Sequence, residues 1–173
     1  LPQLRQDLQV AILRICTIVG VSERGEGPVR MFCELPVAVS VLFRKGGLQF
    51  IHEEDLLRVM TCALEAREFR GAYNVAPDDY TTIAEICRAL RKYRLPLPYS
   101  ALWLALFLVR RLNRDTSLTE NVVSYLAYSC ALSNKKIKET LKLSFTRKSL
   151  DAFLECARAL AQGPRDLLPS RGT

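Results

Sequence analysis

"GLQFIHEEDLLRVM", residues 47 to 60, holds the single histidine of this 173-residue chain between an apolar run and three consecutive acids. Two readings compete for His52: a catalytic base or metal ligand, or the point where a strand hands over to a helix. The residues before it, Leu48 to Ile51, have the apolar and aromatic character of a strand. Those after it place Leu56, Met60, Ala63 and Leu64 on one helical face with Val59 beside them, which predicts a helix from Glu53 to about Ala66. Glu53, Glu54 and Asp55 then occupy its first turn, where the positive end of the helix dipole favours carboxylates. The acids serve the helix start, and a general base would need a substrate-facing partner that the sequence does not reveal. His52 therefore reads as structural.

Outward from this junction the chain alternates strand and helix signals. "LQVAILRI", residues 8 to 15, is a nearly continuous branched apolar run, as in a strand covered on both faces. "VGVSERGEGP" breaks it with a loop, and residues 29 to 36 are a short helical or irregular stretch. "VSVLF" and "LQFI" read as strands joined across Arg44-Lys45-Gly46-Gly47, a turn whose glycines can take positive φ. "GAYNVA", residues 71 to 76, is a further strand. Thr82-x-x-Glu85 is a capping box opening a helix through Ile83, Ile86, Cys87 and Leu90, and Ser117-x-x-Glu120 is a second. Helices are predicted at 100–113, 118–126, 135–141 and 147–161, with "YSCAL" as a short strand between them. The class implied is α/β. The glycine- and proline-punctuated end, residues 163–173, reads as a flexible tail.

Composition narrows the chemistry. The chain is 49% hydrophobic, enough for one ordinary domain. Six cysteines stand at 16, 33, 62, 87, 130 and 156 without a Cys-x-x-Cys pair, which argues for reduced core thiols and, with one histidine, against a metal site. Residues 1–87 carry 9 basic and 12 acidic side chains; residues 88–173 carry 16 and 6. The second half thus favours an anionic partner such as a phosphate, a phospholipid face or an acidic protein, beside the plainer reading of solvated helix faces. Its short basic clusters match no nucleic-acid reading motif. Leu1 to Gln9 lacks the pattern of a secretory signal, so a cytoplasmic location is expected. "LPLPYSALWLALFLV", residues 95 to 109, is too short to span a bilayer once its two prolines are discounted. Its helix is apolar on every side, suited to burial, to a lid over a pocket, to a homodimer contact, or to a peripheral membrane contact through residues 100–113.

The order of "ILR" and its loop, "LQFIHEEDLLR", "GAYNVA…TTIAEICRAL", "LPLP" and "YSCALSNKKIKETLKLSFTRKSLDAFLECARA" resembles the C-terminal half of the extended short-chain dehydrogenases/reductases, the NAD-dependent epimerase/dehydratase family, over roughly residues 8 to 160. The resemblance implies a Rossmann-like α/β protein in which residues 1–162 form the substrate-binding portion. It implies NAD or NADP as the cofactor of the full-length protein and a small-molecule substrate. The family's glycine-rich cofactor turn is absent, and no tyrosine has the lysine four residues on that the family's catalytic pair requires. By the resemblance the chain starts just after the catalytic helix and would neither bind dinucleotide nor catalyse alone. What carries over is the cofactor edge at Ile15, Cys16, Thr17 and Ile18, and substrate positions at Thr17, Leu48 and Phe50. Leu48 stands where sugar-nucleotide epimerases place a diphosphate-clamping arginine, and Ser133 where they place an aspartate. These departures fit an apolar alcohol or ketone better than a sugar nucleotide. A non-catalytic interaction module or membrane-surface remnant of the family is the alternative.

Overall fold

The computed structural model describes residues 10–20, 28–112, 121–129 and 131–161. In chain order its elements are β1 (Ala11–Ile15), β2 (Thr17–Val19), α1 (Pro28–Glu34), β3 (Val37–Val41), β4 (Gly47–Leu48), β5 (Phe50–His52), α2 (Glu53–Glu65), β6 (Gly71–Val75), β7 (Thr81–Thr82), α3 (Ile83–Ala89), β8 (Tyr93–Leu97), α4 (Tyr99–Leu112), α5 (Asn121–Ala127), α6 (Lys135–Leu141) and α7 (Ser149–Ala161). The Ser117-x-x-Glu120 box, Cys130, Leu8 and Gln9 and the expected tail lie outside the described residues.

Pairing is mainly parallel. β1 runs beside β6, from Ala11 opposite Gly71 to Ile15 opposite Val75. At Cys16 the chain changes neighbours. Its N–H still donates to the Val75 carbonyl at 3.1 Å, but β2 pairs with β5, Thr17 opposite Phe50 and Val19 opposite His52. β3 lies parallel to β8 and β4 antiparallel to β7. Parallel neighbours so distant in sequence require long crossovers, which the helices provide.

β5 divides two hydrophobic clusters. Strand side chains alternate between faces, so Phe50 enters one cluster and Ile51 the other. In the first, the Phe50 and Phe153 rings lie 5.1 Å apart and Phe32 meets Phe153 edge-on at 5.9 Å. In the second, Val59, Val75 and Ile137 surround Phe69 and Tyr73, whose rings stack at 4.3 Å. Each fully buried side chain of this size contributes about 1.5–3 kcal/mol.

Local signals fix the helix ends. His52 is the N-cap of α2, its Nδ1 accepting the Glu54 N–H at 3.2 Å. Thr82 and Glu85 form the capping box expected of α3. At the other end of α1, the Lys92 ammonium donates to the carbonyls of Phe32, Cys33 and Leu35, satisfying groups that a helix C-terminus leaves open. Lys142, just past α6, sits at φ 51°, a conformation that ordinarily favours glycine.

Several expectations are corrected. The strands around residues 44–47 do not pair with each other, and neither Gly46 nor Gly47 has positive φ; that conformation falls on Phe43, at 59°. Gly46 is needed for a close approach instead: a Cβ there would lie 2.6 Å from the Leu126 carbonyl oxygen. "YSCAL" is not a strand where it is described. α5 ends at Ala127, and Leu132 N–H is held by the Gln49 side chain at 2.6 Å rather than by a ladder. β8 was not expected, because Pro96 lacks the N–H of a central strand; its pairing with β3 alone accommodates the proline. In α2, Met60 and Leu64 are exposed while Asp55 and Val59 are buried. Finally, β1, expected to be covered on both faces in the parent fold and to show an unusually apolar face in this piece, is covered on one face. Ala11 and Leu13 pack on the second cluster, whereas Val10 and Ile12 on the opposite face are exposed, Ile12 at 56%.

Candidate functional site

The residues expected at a cofactor edge, Ile15 to Ile18, occupy the point where the chain leaves β6 for β5. Ile15 and Ile18 project outward. Cys16 points inward, and burial pushes its thiol up to about 12, so it is a neutral core group rather than a nucleophile. The Thr17 hydroxyl lies 3.1 Å from the phenol oxygen of Tyr125 on α5, half-buried. The structure brings Thr17 and Phe50 together as strand partners but buries the Phe50 ring in the first cluster. Leu48, opposite Thr81, is buried in the same cluster. Neither Leu48 nor Phe50 reaches an open surface of this chain.

Beneath this junction lies a polar frame that the sequence reading did not single out. Gln49 is buried, its Nε2 within hydrogen-bond reach of the Pro77, Asp79 and Leu132 carbonyls at 3.2, 3.3 and 3.4 Å, while its Oε1 accepts from Leu132. Asp55, also buried, accepts from Thr146 Oγ1 at 2.7 Å and from the Arg147 N–H at 3.2 Å. Asp79 accepts the Ser149 N–H at 2.9 Å. Gln49 ties the chain just before β5 to the segment preceding α6, Asp55 ties α2 to the segment preceding α7, and Asp79 ties the loop between β6 and β7 to the start of α7. The sequence signalled Gln49 only as a polar residue inside "LQFI" and Asp55 only as a first-turn acid of α2.

His52 belongs to this frame. Its side chain is buried, and its Nε2 lies 3.7 Å from Glu155 Oε2, beyond hydrogen-bond length. Arg147 spans Glu54 and Glu155 at 2.6 and 3.1 Å on the surface above it. The Arg147 hydrogen bond holds the Glu54 carboxyl below its usual range. Among the described residues no group of three or more histidines, cysteines and acids is arranged to hold a metal ion. An open groove between β1 and α2, lined by Ala11, Leu13, Met60, Ala63, Leu64, Ala66 and Phe69, has no titratable lining and carries no acid–base chemistry.

No family model matches the sequence, and no curated relative does. Solved structures do. UDP-glucuronic acid 4-epimerase from Bacillus cereus, in complex with UDP-glucuronic acid and NAD, superposes over 90% of this chain and 46% of its own, with TM-score 0.63 and 15% identity. UDP-N-acetylglucosamine 4-epimerase from the same organism gives 92%, 49%, 0.59 and 16%. The Bordetella bronchiseptica enzyme WbmG, in complex with NAD, gives 91%, 45%, 0.62 and 14%. The chain shares the α/β fold of about half of each of these enzyme structures.

That shared fold includes the parallel β1–β6 and β2–β5 ladders and the helices that cross between them. This chain spans about half the length of the solved structures that it matches. No helix among the described residues is long and apolar enough to cross a membrane.

Proposed function

We propose that this chain is the substrate-binding half of an NAD(P)-dependent epimerase/dehydratase or dehydrogenase/reductase acting on a small molecule in the cytoplasm. The observation that carries the reading is the outward face of β1. A parallel strand is ordinarily covered on both sides, yet here Val10 and Ile12 are exposed, and β1 has one ladder among the described residues. Half of the expected layer is supplied from elsewhere.

The chain alone offers little to a dinucleotide. Its sequence has no glycine-rich turn to let backbone amides approach a pyrophosphate. The one hydroxyl at the expected nicotinamide edge, Thr17, already faces Tyr125. Residues 15–18 would therefore border the cofactor without holding it, and the half is inactive by itself. In the complete protein the cofactor would accept or donate hydride, while Thr17 and Tyr125 orient the substrate edge. Leu48, inside the core, provides no phosphate clamp, which favours an apolar alcohol or ketone over a sugar nucleotide. A second reading, a non-catalytic interaction module, is favoured by one observation, the exposed apolar side of α4.

Titration calorimetry with NAD and NADP tests the first reading. The chain alone should give no measurable heat, since one or two hydrogen bonds of about 1 kcal/mol each fall far short of the roughly 8 kcal/mol behind micromolar affinity. Joined to a glycine-rich βαβ half encoded upstream, it should bind and turn over. Micromolar binding by the chain alone would overturn the assignment.

A further inference from the structure

The β8–α4 arm is the most exposed apolar unit among the described residues. In β8, Tyr93, Arg94, Leu95 and Pro96 are all exposed. α4 packs inward through Leu102 and, in part, Leu106. Outward it presents Trp103 at 41%, Leu104 at 51%, Phe107 at 38% and Leu108 at 49% exposure, with the Trp103 and Phe107 rings stacked at 5.5 Å. Positions 104, 107, 108 and 111 share one helical face, so the exposed Arg111 closes the apolar stripe at its C-terminal end.

Charge identifies what this surface meets. Between Glu85 and Asp115 the sequence has seven cations, Arg88, Arg91, Lys92, Arg94, Arg110, Arg111 and Arg114, and no acid. Lys92 is occupied by the end of α1, but Arg91, Arg94 and Arg111 are exposed on or beside the arm. Two copies of this chain joined through α4 would bring the exposed Arg94 or Arg111 of one against Arg94 or Arg111 of the other, in parallel or antiparallel register alike, an unfavourable like-charge contact. The open face of β1 is a separate surface, since β1 packs on the second cluster and α4 on the first. At 14 residues, α4 is too short to span a bilayer. An apolar stripe with aromatic residues and flanking arginines matches the boundary of an anionic bilayer, where the rings and leucines enter the acyl region and the guanidinium groups meet phosphate.

We propose that the β8–α4 arm seats the chain on an anionic membrane surface. Trp103 is the only tryptophan, so its emission reports directly on the arm. With phosphatidylcholine vesicles containing phosphatidylserine, the chain should co-sediment, its emission should shift to shorter wavelength, and brominated acyl chains should quench it. Vesicles of phosphatidylcholine alone should bind far more weakly, and salt should release the bound protein. The double variant Leu104→Glu/Leu108→Glu, altered only at exposed positions, should lose about tenfold or more of its partitioning while keeping its circular dichroism spectrum. Arg94→Glu/Arg111→Glu, which spares the apolar stripe, should weaken binding to the anionic vesicles by at least about twentyfold. Absence of co-sedimentation at low salt would overturn the proposal. So would binding unchanged in both variants, or a wavelength shift without vesicles that tracks dimer formation.

Discussion

Thr17 Oγ1 and the Tyr125 phenol oxygen lie 3.1 Å apart across 108 positions of sequence, joining the strand junction at Cys16 to α5. The bond holds the proposed substrate edge to a helix of the other cluster. Thr17→Val and Tyr125→Phe should each cost about 1 kcal/mol, and the double variant about the same as either alone, because one interaction is lost in all three. Denaturant midpoints for the four proteins measure the coupling. Fully additive losses would show that the bond contributes nothing.

His52 should prove structural. His52→Ala removes the α2 cap and empties buried space, for an expected loss of about 2–4 kcal/mol. His52→Asn restores a capping oxygen and should recover about 1 kcal/mol of that in urea titrations. In the complete enzyme His52→Asn should stay within about tenfold of wild-type turnover, whereas loss of a general base removes 10² or more.

Gln49→Leu preserves bulk but removes the side-chain partner of the Leu132 N–H and of the Pro77 carbonyl, while the Asp79 carbonyl keeps the Ser149 hydroxyl. A loss of about 1–3 kcal/mol is expected. Amide exchange should quicken most around residues 77–79 and 131–134. Uniform acceleration along the chain would mean that Gln49 ties nothing locally.

Acid should weaken the fold in a direction set by three carboxylates. Glu54 is held below its usual range chiefly by Arg147, Asp78 by Lys138 and then Asn134, and Glu85 by the Thr82 backbone. The folded chain binds these protons less readily than the unfolded one. Their contribution is therefore complete above the ordinary carboxylate range and is lost as pH falls through the folded values. Urea midpoints should drop between about pH 5 and pH 2, and Asp78→Asn should flatten that drop. An unchanged slope in the variant would remove Asp78 from the account.

What the sequence made legible was local. The strand-to-helix junction at His52, the Thr82–Glu85 box and the helices α3, α6 and α7 each depend on residues within a turn or two, and each is present. Strand partners were not legible, because parallel neighbours meet through contacts dozens of residues apart. This is why residues 44–47 resembled a hairpin and why β8, with its proline, passed unnoticed. The site was legible only as a stretch of strand. Tyr125 carries no local sign that it faces Thr17, and Gln49 differs from any strand glutamine only in its burial.

The strand that begins the described chain is also a handling hazard. β1 reads Ala-Ile-Leu-Arg-Ile and, among the described residues, has a ladder on one edge, so its other edge is open to pairing with an extended segment. Arg14 is the single charge along it and acts as a gatekeeper against edge-to-edge stacking. Once heat loosens the chain, intermolecular pairing should compete with refolding, and a thermal midpoint that shifts with scan rate and protein concentration is the expected sign. Arg14→Val would turn that competition toward fibres.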